Sequence, residues 1–574
     1  MLKDFIYKNQ NNILQCFRIF LAVNIVLYIS VCLDLYKPMW AVIGAVFLQL
    51  RPEAGFVIEK ALCLIIATLT GAIIGSAIVV YFIPYPLLAI LSLMFFLIIC
   101  SVILTGINHS NFIYGLALGN ITAILVVFYS VSDQNITATG VFNIASARVT
   151  EIGLGCITAC LISFLIKPQS VKNIYKKHSN QVFLATIKHL NTLTNIHTAD
   201  EFSINTSTKE IIETTVALHN DSSANIYETL NDKNHYILFS NSALAMLKLI
   251  KDYSKYKDKN ISEDHFIYYS DLLNSHLKTI SLGTNIKDKI KDLKISLKDY
   301  SQPIIIRNIY LALIKFLIAY TNLDANKKNL KGISLPKIKN YHNPAIICTA
   351  TIRTISIFII CTLLWMLSKG NAGLLVALII MLVLSQLFAG IPKSTILVRN
   401  VLVGVFISAP IAIIIKLFLM PQVLGFVELF LVLFSLSLSI GVICLTITKF
   451  QMHGFGYCLG IIFIIQPDNH MNFDIINSIS ICIGLLIGGC VFYAIYNLLP
   501  NSPNILTQKL AIKALYNDLK KVGKTINTKD QFTATVAKKV LCVYKYELPN
   551  NDMSKNYVDE MHGILNKANK YLKR

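Results

Sequence analysis

Two residues of opposite charge, Arg148 and Glu151, lie inside a long apolar stretch of the sequence. They are three residues apart, so on a helix they share one face and can form an ion pair. A charged residue at the centre of a bilayer costs about 2.5–3.5 kcal/mol on insertion scales and is normally kept for a partner or a pathway. The pair predicts either a self-neutralising contact near the membrane interface or an anion or proton site facing a cavity.

Three more residues are candidates for the same chemistry. Arg18 and Arg353 lie a few residues inside two other apolar stretches. Each can extend its guanidinium to the membrane surface or hold a carboxylate in an internal vestibule. Trp40, one of two tryptophans, follows Lys37 and Pro38 at a predicted helix start. A tryptophan in that position is typical of an anchor at the membrane interface.

No motif predicts catalysis or a cofactor. Residues 523–525 read Gly-Lys-Thr, but Asp518 takes the place of the first glycine of a phosphate-binding loop. The stretch 470–474 is one residue short of an HxxxxD acyltransferase motif, and no G-x-S-x-G occurs. The 13 cysteines show neither CxxC nor zinc-type spacing. We expect a protein that is not an enzyme, with no catalytic residue, no metal and no cofactor.

The elements that must position these residues are membrane helices. The chain is 55% hydrophobic and only 14% charged, against about 25% charged in soluble domains, which excludes a soluble, disordered or disulfide-scaffold protein. A membrane helix needs about 20 mostly apolar residues, and two apolar blocks each divide into six stretches. The first six are 13–35, 39–50, 60–82, 87–104, 113–129 and 143–166. The second six are 345–367, 374–388, 398–418, 426–447, 453–465 and 475–499.

The two blocks resemble each other weakly. Residues 142–153 align without gaps with residues 473–484, sharing a phenylalanine, two isoleucines and a glycine. Arg18 and Arg353 lie at comparable distances before the second stretch of each block. The sequence therefore predicts an all-α integral membrane protein built from two repeated six-helix units. The stretch 39–50 is short, about 18 Å at helical rise, which predicts a half-helix or an extension through Arg51.

The net charge of +21 marks the topology. Residues 167–343 carry 25 Lys and Arg against 16 Asp and Glu, and residues 501–574 carry 14 against 6. Cytoplasmic segments retain such residues, so a nucleic-acid partner is not needed to explain the charge. We predict a cytoplasmic N-terminus (1–12), a first six-span unit (13–166), a helical cytoplasmic domain (167–344), a second six-span unit (345–499) and a helical cytoplasmic tail (500–574).

Helical periodicity is visible in both segments that are predicted to be cytoplasmic. The central segment shows it in residues 171–193, 240–256, 265–280 and 304–320, and the tail shows three helices within 505–572.

Several of these residues resemble the motifs of the fusaric acid resistance family, which includes the aromatic carboxylic acid efflux pumps. Arg148, Glu151 and Ile152, with Gly155 and Pro168, are similar to its R-x-x-E-I-x-x-G…P signature. The stretches 38–42 and 68–75 resemble its P-x-W-A-V and G-T-x-x-G motifs. The resemblance covers both apolar blocks and the order of the parts.

The resemblance implies an inner-membrane, proton-coupled exporter of aromatic or other organic acids. It implies an organic anion substrate and a periplasm-spanning adaptor protein as partners, beside the membrane lipid; a homo-oligomer stays open. Arg148 and Glu151 carry over as site residues, with Trp40 and Lys60 behind them and the two arginines as further pathway candidates. Two alternatives remain: an anion channel, and a non-transporting membrane scaffold.

Overall fold

The chain was analysed as a computed structural model. Every regular element in the part that it describes is a helix, which confirms the predicted all-helical class. The described residues are 10–50, 53–107, 110–133, 135–168, 171–194, 201–221, 235–246, 263–281, 286–298, 304–323, 336, 338–391, 394–423, 427–468, 471, 473–499, 504–548 and 551–572.

The chain divides into two compact units. Unit 1 comprises Met1–Gln169 and Pro344–Ser502, and unit 2 comprises Ser170–Asn343 and Pro503–Arg574. Unit 1 contains both apolar blocks, whereas unit 2 combines the central segment with the tail. Two stretches that are far apart in sequence thus fold together in each unit.

Unit 1 contains twelve helices in the order that the sequence predicts. The first six are α1 (Gln10–Cys32), α2 (Met39–Leu48), α3 (Ala54–Phe82), α4 (Pro86–Gly106), α5 (Ser110–Ser132) and α6 (Ala138–Leu165). The second six are α13 (Pro344–Leu367), α14 (Ala372–Leu387), α15 (Ser394–Ile414), α16 (Val427–Thr446), α17 (Gln451–Ile465) and α18 (Ile475–Leu498). A π-turn, Ile415–Leu419, and a 3₁₀ turn, Met420–Val423, continue α15.

Nine of these described helices are long and apolar enough to cross a membrane. The expectation of twelve full spans is corrected for α2, α14 and α17, which have 10, 16 and 15 residues. They are about 15, 24 and 23 Å long, less than the hydrocarbon thickness of about 30 Å. Short helices at membrane depth are tolerated where protein rather than lipid surrounds their ends. The half-helix prediction for the second stretch is confirmed.

Burial separates an inner from an outer set of helices. All ten residues of α2 are buried, and so are nearly all of α14 and α17. The middle of α5, residues 121–128, is buried as well. The other helices expose large apolar side chains on one face, such as Ile73 on α3 and Phe95 on α4. This pattern is the one expected when lipid contacts the outer helices.

Helix pairs in the two halves of unit 1 pack alike. Helix α3 packs on α5 as α15 packs on α17, and α2 packs on α6 as α14 packs on α18. Helix α4 packs on α13, and α16 packs on α1. Glycines permit these close contacts: a Cβ at Gly71 on α3 would strike the backbone of Gly119 on α5, and a Cβ at Gly456 on α17 would strike that of Val401 on α15.

Unit 2 is built from α7 (Val171–Thr194), α8 (Glu201–Asp221), α9 (235–246), α10 (Glu263–Ser281), α11 (Ile286–Ser296) and α12 (Ile304–Thr321), with α19 (Asn504–Leu519), α20 (Lys529–Lys545) and α21 (Asp552–Tyr571) from the tail. Periodicity in the sequence did not predict α8, which is weakly amphipathic, or α11, which has only 11 residues. The predicted helix 240–256 starts earlier, at 235, and residues 247–256 lie outside the described part.

The segment that precedes α13 is held by the tail helices. The Lys339 amide donates to the Ala534 carbonyl at 3.2 Å, and the Asn343 amide group donates to the Thr507 carbonyl at 2.9 Å. The Lys538 ammonium donates to the Asn340 side-chain oxygen at 2.6 Å. Burial lowers the pKa of Lys538 to about 8. These contacts explain why the central segment and the tail form one unit.

Candidate functional site

Arg148 and Glu151 form a buried ion pair within α6. The Arg148 Nη1 atom lies 2.9 Å from Glu151 Oε2, and the residues are 1% and 0% exposed. The other carboxylate oxygen accepts a hydrogen bond of 2.6 Å from the backbone amide of Lys37, which precedes α2. A buried charge needs such partners, since an isolated one costs several kcal/mol. The pair is therefore self-neutralising and buried in the protein interior.

Trp40 connects this pair to the second half of unit 1. The Arg148 guanidinium carbon lies 4.5 Å from the Trp40 ring centroid, and the Phe463 ring on α17 meets that ring edge-on at 5.3 Å. Trp40 is only 2% exposed. The prediction of an interfacial anchor is therefore wrong, because helices α6 and α17 cover the indole. Within the described part of the chain, Trp40 Nε1 and Arg148 Nη2 are buried without a hydrogen-bond partner.

A small cavity of about 30 Å³ lies among the four inner helices. Each helix contributes residues of one face, and every lining side chain is apolar or aromatic. This volume is well below the range of about 300–1,000 Å³ that is usual for small-molecule sites, so a bound aromatic ring requires the lining side chains to move apart. The lining residues are Trp40, Ile43, Phe47, Tyr114, Leu118, Ile121, Ile379, Ile380, Val383, Leu384, Leu387, Phe455, Leu459 and Phe463.

Lys60 approaches the same cavity through Tyr114. Its ammonium lies 3.5 Å from the Tyr114 ring centroid and donates a hydrogen bond of 2.6 Å to the Phe47 carbonyl. Both Tyr114 and Phe47 line the cavity. Two aromatic residues of the cavity wall, Trp40 and Tyr114, therefore each have a buried cation over the ring. The face of an aromatic ring attracts a cation electrostatically.

Arg18 and Arg353 lie away from the cavity lining, at matching places in the two halves. Arg18 Nε donates to the Ile166 carbonyl at the end of α6 at 3.0 Å, and Arg353 Nε donates to the Leu499 carbonyl at the end of α18 at 2.7 Å. Both arginines are buried. Each guanidinium binds free carbonyls at a helix C-terminus, and the surface-extension and vestibule hypotheses for the two arginines stay predictions.

Sequence reasoning missed three residues around this centre: Tyr114, Phe463 and Lys416. The sequence contains a signal for Tyr114 and Phe463, because the cavity-lining residues recur every three or four positions along each helix. Phe455, Leu459 and Phe463 are an example. Lys416 lies near the end of the predicted stretch 398–418. It is 2% exposed in the π-turn after α15, and its ammonium donates to the Ile464 carbonyl at 3.0 Å.

Nine described helices of membrane-spanning length and composition define a multi-pass membrane protein. The sequence model of the fusaric acid resistance protein family matches residues 12–561, so the chain belongs to that family. This confirms the resemblance that the motifs around Arg148 and Trp40 indicated.

Curated relatives include the p-hydroxybenzoic acid efflux pump subunit AaeB of Yersinia pestis (strain Pestoides F) and that of Yersinia pseudotuberculosis (serotype O:1b, strain IP 31758). Each is 21% identical to this chain over 500 residues, which cover 82% of this chain and 73% of the relative. No solved structure matches the chain. Family and relatives together support a membrane efflux transporter rather than an enzyme.

Proposed function

We propose that unit 1 exports aromatic carboxylic acids across the membrane and that the substrate ring occupies the cavity among the inner helices. The observation that carries this proposal is the cavity wall, which has five aromatic side chains and no charged one: Trp40, Phe47, Tyr114, Phe455 and Phe463. Aromatic rings pair favourably with such walls in offset or edge-on geometry. The relatives named as p-hydroxybenzoic acid efflux pump subunits support this substrate class.

The buried cations supply what the carboxylate needs. An anion that crosses a membrane requires positive charge along its path. Arg148 and Lys60 each contact an aromatic residue of the cavity wall, so a rotation of Trp40 or Tyr114 exposes a cation to the cavity. Glu151 is the acid that we assign to proton coupling, because protonation releases Arg148 from its ion pair. Arg18 and Arg353 serve the pathway as fixed positive charges within α1 and α13.

The proposal includes the setting of the protein. We place the chain in the bacterial inner membrane, with the N-terminus, unit 2 and its tail in the cytoplasm, since the excess of Lys and Arg lies in those segments. A periplasmic adaptor protein completes the export route. The relatives are named as pump subunits, which is consistent with a partner protein.

We also propose that unit 1 is a duplicated six-helix element. The support is the matching of contacts: α3 on α5 and α15 on α17, and an arginine of α1 or α13 that binds the last carbonyl of α6 or α18. Repeats with a site at their interface are common among secondary transporters.

Binding tests the proposal directly, because the chain has two tryptophans and one of them, Trp40, lines the cavity. In the Trp365→Phe variant, purified into lipid nanodiscs, Trp40 is the only indole. We expect 4-hydroxybenzoate to change its emission saturably. A Leu459→Trp side chain fills the cavity and should abolish export of radiolabelled 4-hydroxybenzoate from proteoliposomes. Leu436→Trp is the control, since Leu436 is exposed on the lipid-facing side of α16.

A scaffold that transports nothing is the alternative that one observation favours: neither Arg148 nor Glu151 lines the cavity, whose wall is entirely apolar. The scaffold predicts no Trp40 response and equal release from liposomes with and without protein. Glu151→Gln provides a second test. Export that continues unchanged without a titratable acid at position 151 contradicts the assigned proton role, and large ionic currents independent of a proton gradient indicate a channel.

A further inference from the structure

The non-helical segment 338–343, which we call the strap, precedes α13 and is bound along its length by the tail helices. Lys339 binds α20 through its backbone amide, and Asn340 does so through its side-chain oxygen. The Tyr341 ring centroid lies 5.7 Å from the Lys539 ammonium of α20. Backbone, amide and ring groups of three consecutive residues therefore all contact one tail helix.

Asn343, the last residue of the strap, is held by both tail helices. It is 3% exposed, and its side-chain amide donates to the Thr507 carbonyl of α19 at 2.9 Å and to the Cys542 sulfur of α20 at 3.6 Å. A buried amide group that loses its partners costs free energy, because it has no water to replace them. The next residue, Pro344, is the first of α13. The start of α13 is therefore fixed to two tail helices.

The connection from α18 to the tail is bound to the same helix, α13. Leu499, which follows α18, accepts a hydrogen bond of 2.7 Å from Arg353 Nε of α13, and the Arg353 guanidinium carbon lies 4.5 Å from the Tyr496 ring centroid of α18. Helix α19 begins five residues after Leu499. The two connections are thus joined twice, by Arg353 and Leu499 within unit 1 and by Asn343 and Thr507 within unit 2.

We propose that the strap is an anchor through which the tail of unit 2 fixes the first turns of α13, and that transport by unit 1 requires this anchor to stay bound. A segment without helical hydrogen bonds keeps one conformation only while its polar groups have partners. Release of the strap therefore loosens the start of α13, where the first amides have no acceptor within the helix. The inference goes beyond the proposed export function, because it gives the tail a role that does not depend on the substrate.

Hydrogen exchange tests the anchor in the full chain, purified into lipid nanodiscs. Asn343→Leu removes the amide donor to Thr507. We expect the amides of residues 348–353, the first in α13 with acceptors within the helix, to exchange about tenfold faster, as for the loss of one buried hydrogen bond. Unchanged exchange in residues 376–382 of α14 shows that unit 1 is folded. His342→Leu is the matched control, because His342 is the exposed neighbour.

A second variant keeps the test decisive if Asn343→Leu does not fold. Lys538→Met retains the aliphatic stem but removes the donor to Asn340, and it should also speed exchange in residues 348–353. The competing explanation is that the strap stabilises unit 2 alone. Faster exchange within α20 while residues 348–353 exchange as in the parent protein establishes that explanation and overturns the inference, as does unchanged exchange throughout.

Export provides the second measurement. Both variants should export radiolabelled 4-hydroxybenzoate from proteoliposomes severalfold more slowly than the parent protein and the His342→Leu control. Export at the parent rate, despite faster exchange in residues 348–353, contradicts the requirement for a bound anchor. If the parent protein exports nothing, the proposed function fails, whereas the exchange rates still decide whether the tail anchors α13.

Discussion

The two halves of unit 1, residues 10–166 and 344–499, share a packing scheme but differ in buried charge. In the first half, three buried acids, Glu53, Glu59 and Glu151, accompany the buried Arg18, Lys60 and Arg148. In the described helices of the second half, Arg353 and Lys416 are buried and no acid is. The first half is balanced, and the second carries surplus positive charge. Among the described residues of unit 1, the buried acids therefore all lie in the first half, beside buried cations, while the buried cations of the second half bind backbone carbonyls.

The shared packing is tested by a pair of glycines, and here we expect the largest effect. Gly71→Leu and Gly456→Leu each force a side chain into the backbone of a neighbouring helix, so both should abolish recovery of folded protein. Monodisperse protein after detergent extraction is the measurement. Gly153→Leu is the control, because a Cβ there meets nothing within 4 Å. Normal recovery of one variant but not the other breaks the equivalence of the halves.

The balanced charge of the first half is tested by removing one partner. Arg148→Ala leaves Glu151 buried without its counter-charge, and we expect a loss of about 3–5 kcal/mol in the free energy of unfolding. The double variant Arg148→Met/Glu151→Gln should recover most of that loss, since no charge remains. Unfolding in mixed detergent and SDS measures both. If the double variant is as unstable as Arg148→Ala, the pair is not the source of the stability.

Replacing either arginine that binds a helix C-terminus, Arg18 or Arg353, should cause a loss of stability of intermediate size. Arg18→Met and Arg353→Met each remove the donor to the last carbonyl of the sixth helix in their half. We expect similar losses of about 1–3 kcal/mol, the usual cost of leaving a buried acceptor unsatisfied. The same SDS titration applies. If one variant loses stability within this range and the other does not, the result argues against a duplicated element.

The smallest expected effect concerns a polar contact between the halves. The Asn120 amide on α5 donates to the Gln386 side-chain oxygen on α14 at 2.9 Å, and both residues are buried. A double-mutant cycle with Asn120→Leu and Gln386→Leu should give a coupling of about 0.6 kcal/mol, which is typical of hydrogen bonds between membrane helices. A coupling of zero indicates that this hydrogen bond does not help to join the halves.

Much of the fold was predictable from residue order. The breaks between apolar stretches lie close to the observed helix ends, as for the stretch 87–104 within α4, and the half-length of α2 followed from its 12-residue stretch. Glu151 and Arg148 were found because their three-residue spacing fixes one helix face. Trp40 was misassigned because an interfacial and a buried tryptophan look the same in sequence. The burial of Lys416 depends on the π-turn that continues α15, which no residue spacing predicts.

Composition alone predicts which segments lie in lipid and which in water. Long apolar stretches have a low free energy in lipid, and Lys-rich segments have a low free energy in water. The sequence also determined the Arg148–Glu151 contact, which is local to one helix. Tertiary packing alone brings α2, α5, α14 and α17 around one cavity and places the Lys416 ammonium on the Ile464 carbonyl. Those contacts join residues up to several hundred positions apart, and no local spacing encodes which helix faces meet. The balance of buried charge was therefore fixed by packing rather than by composition.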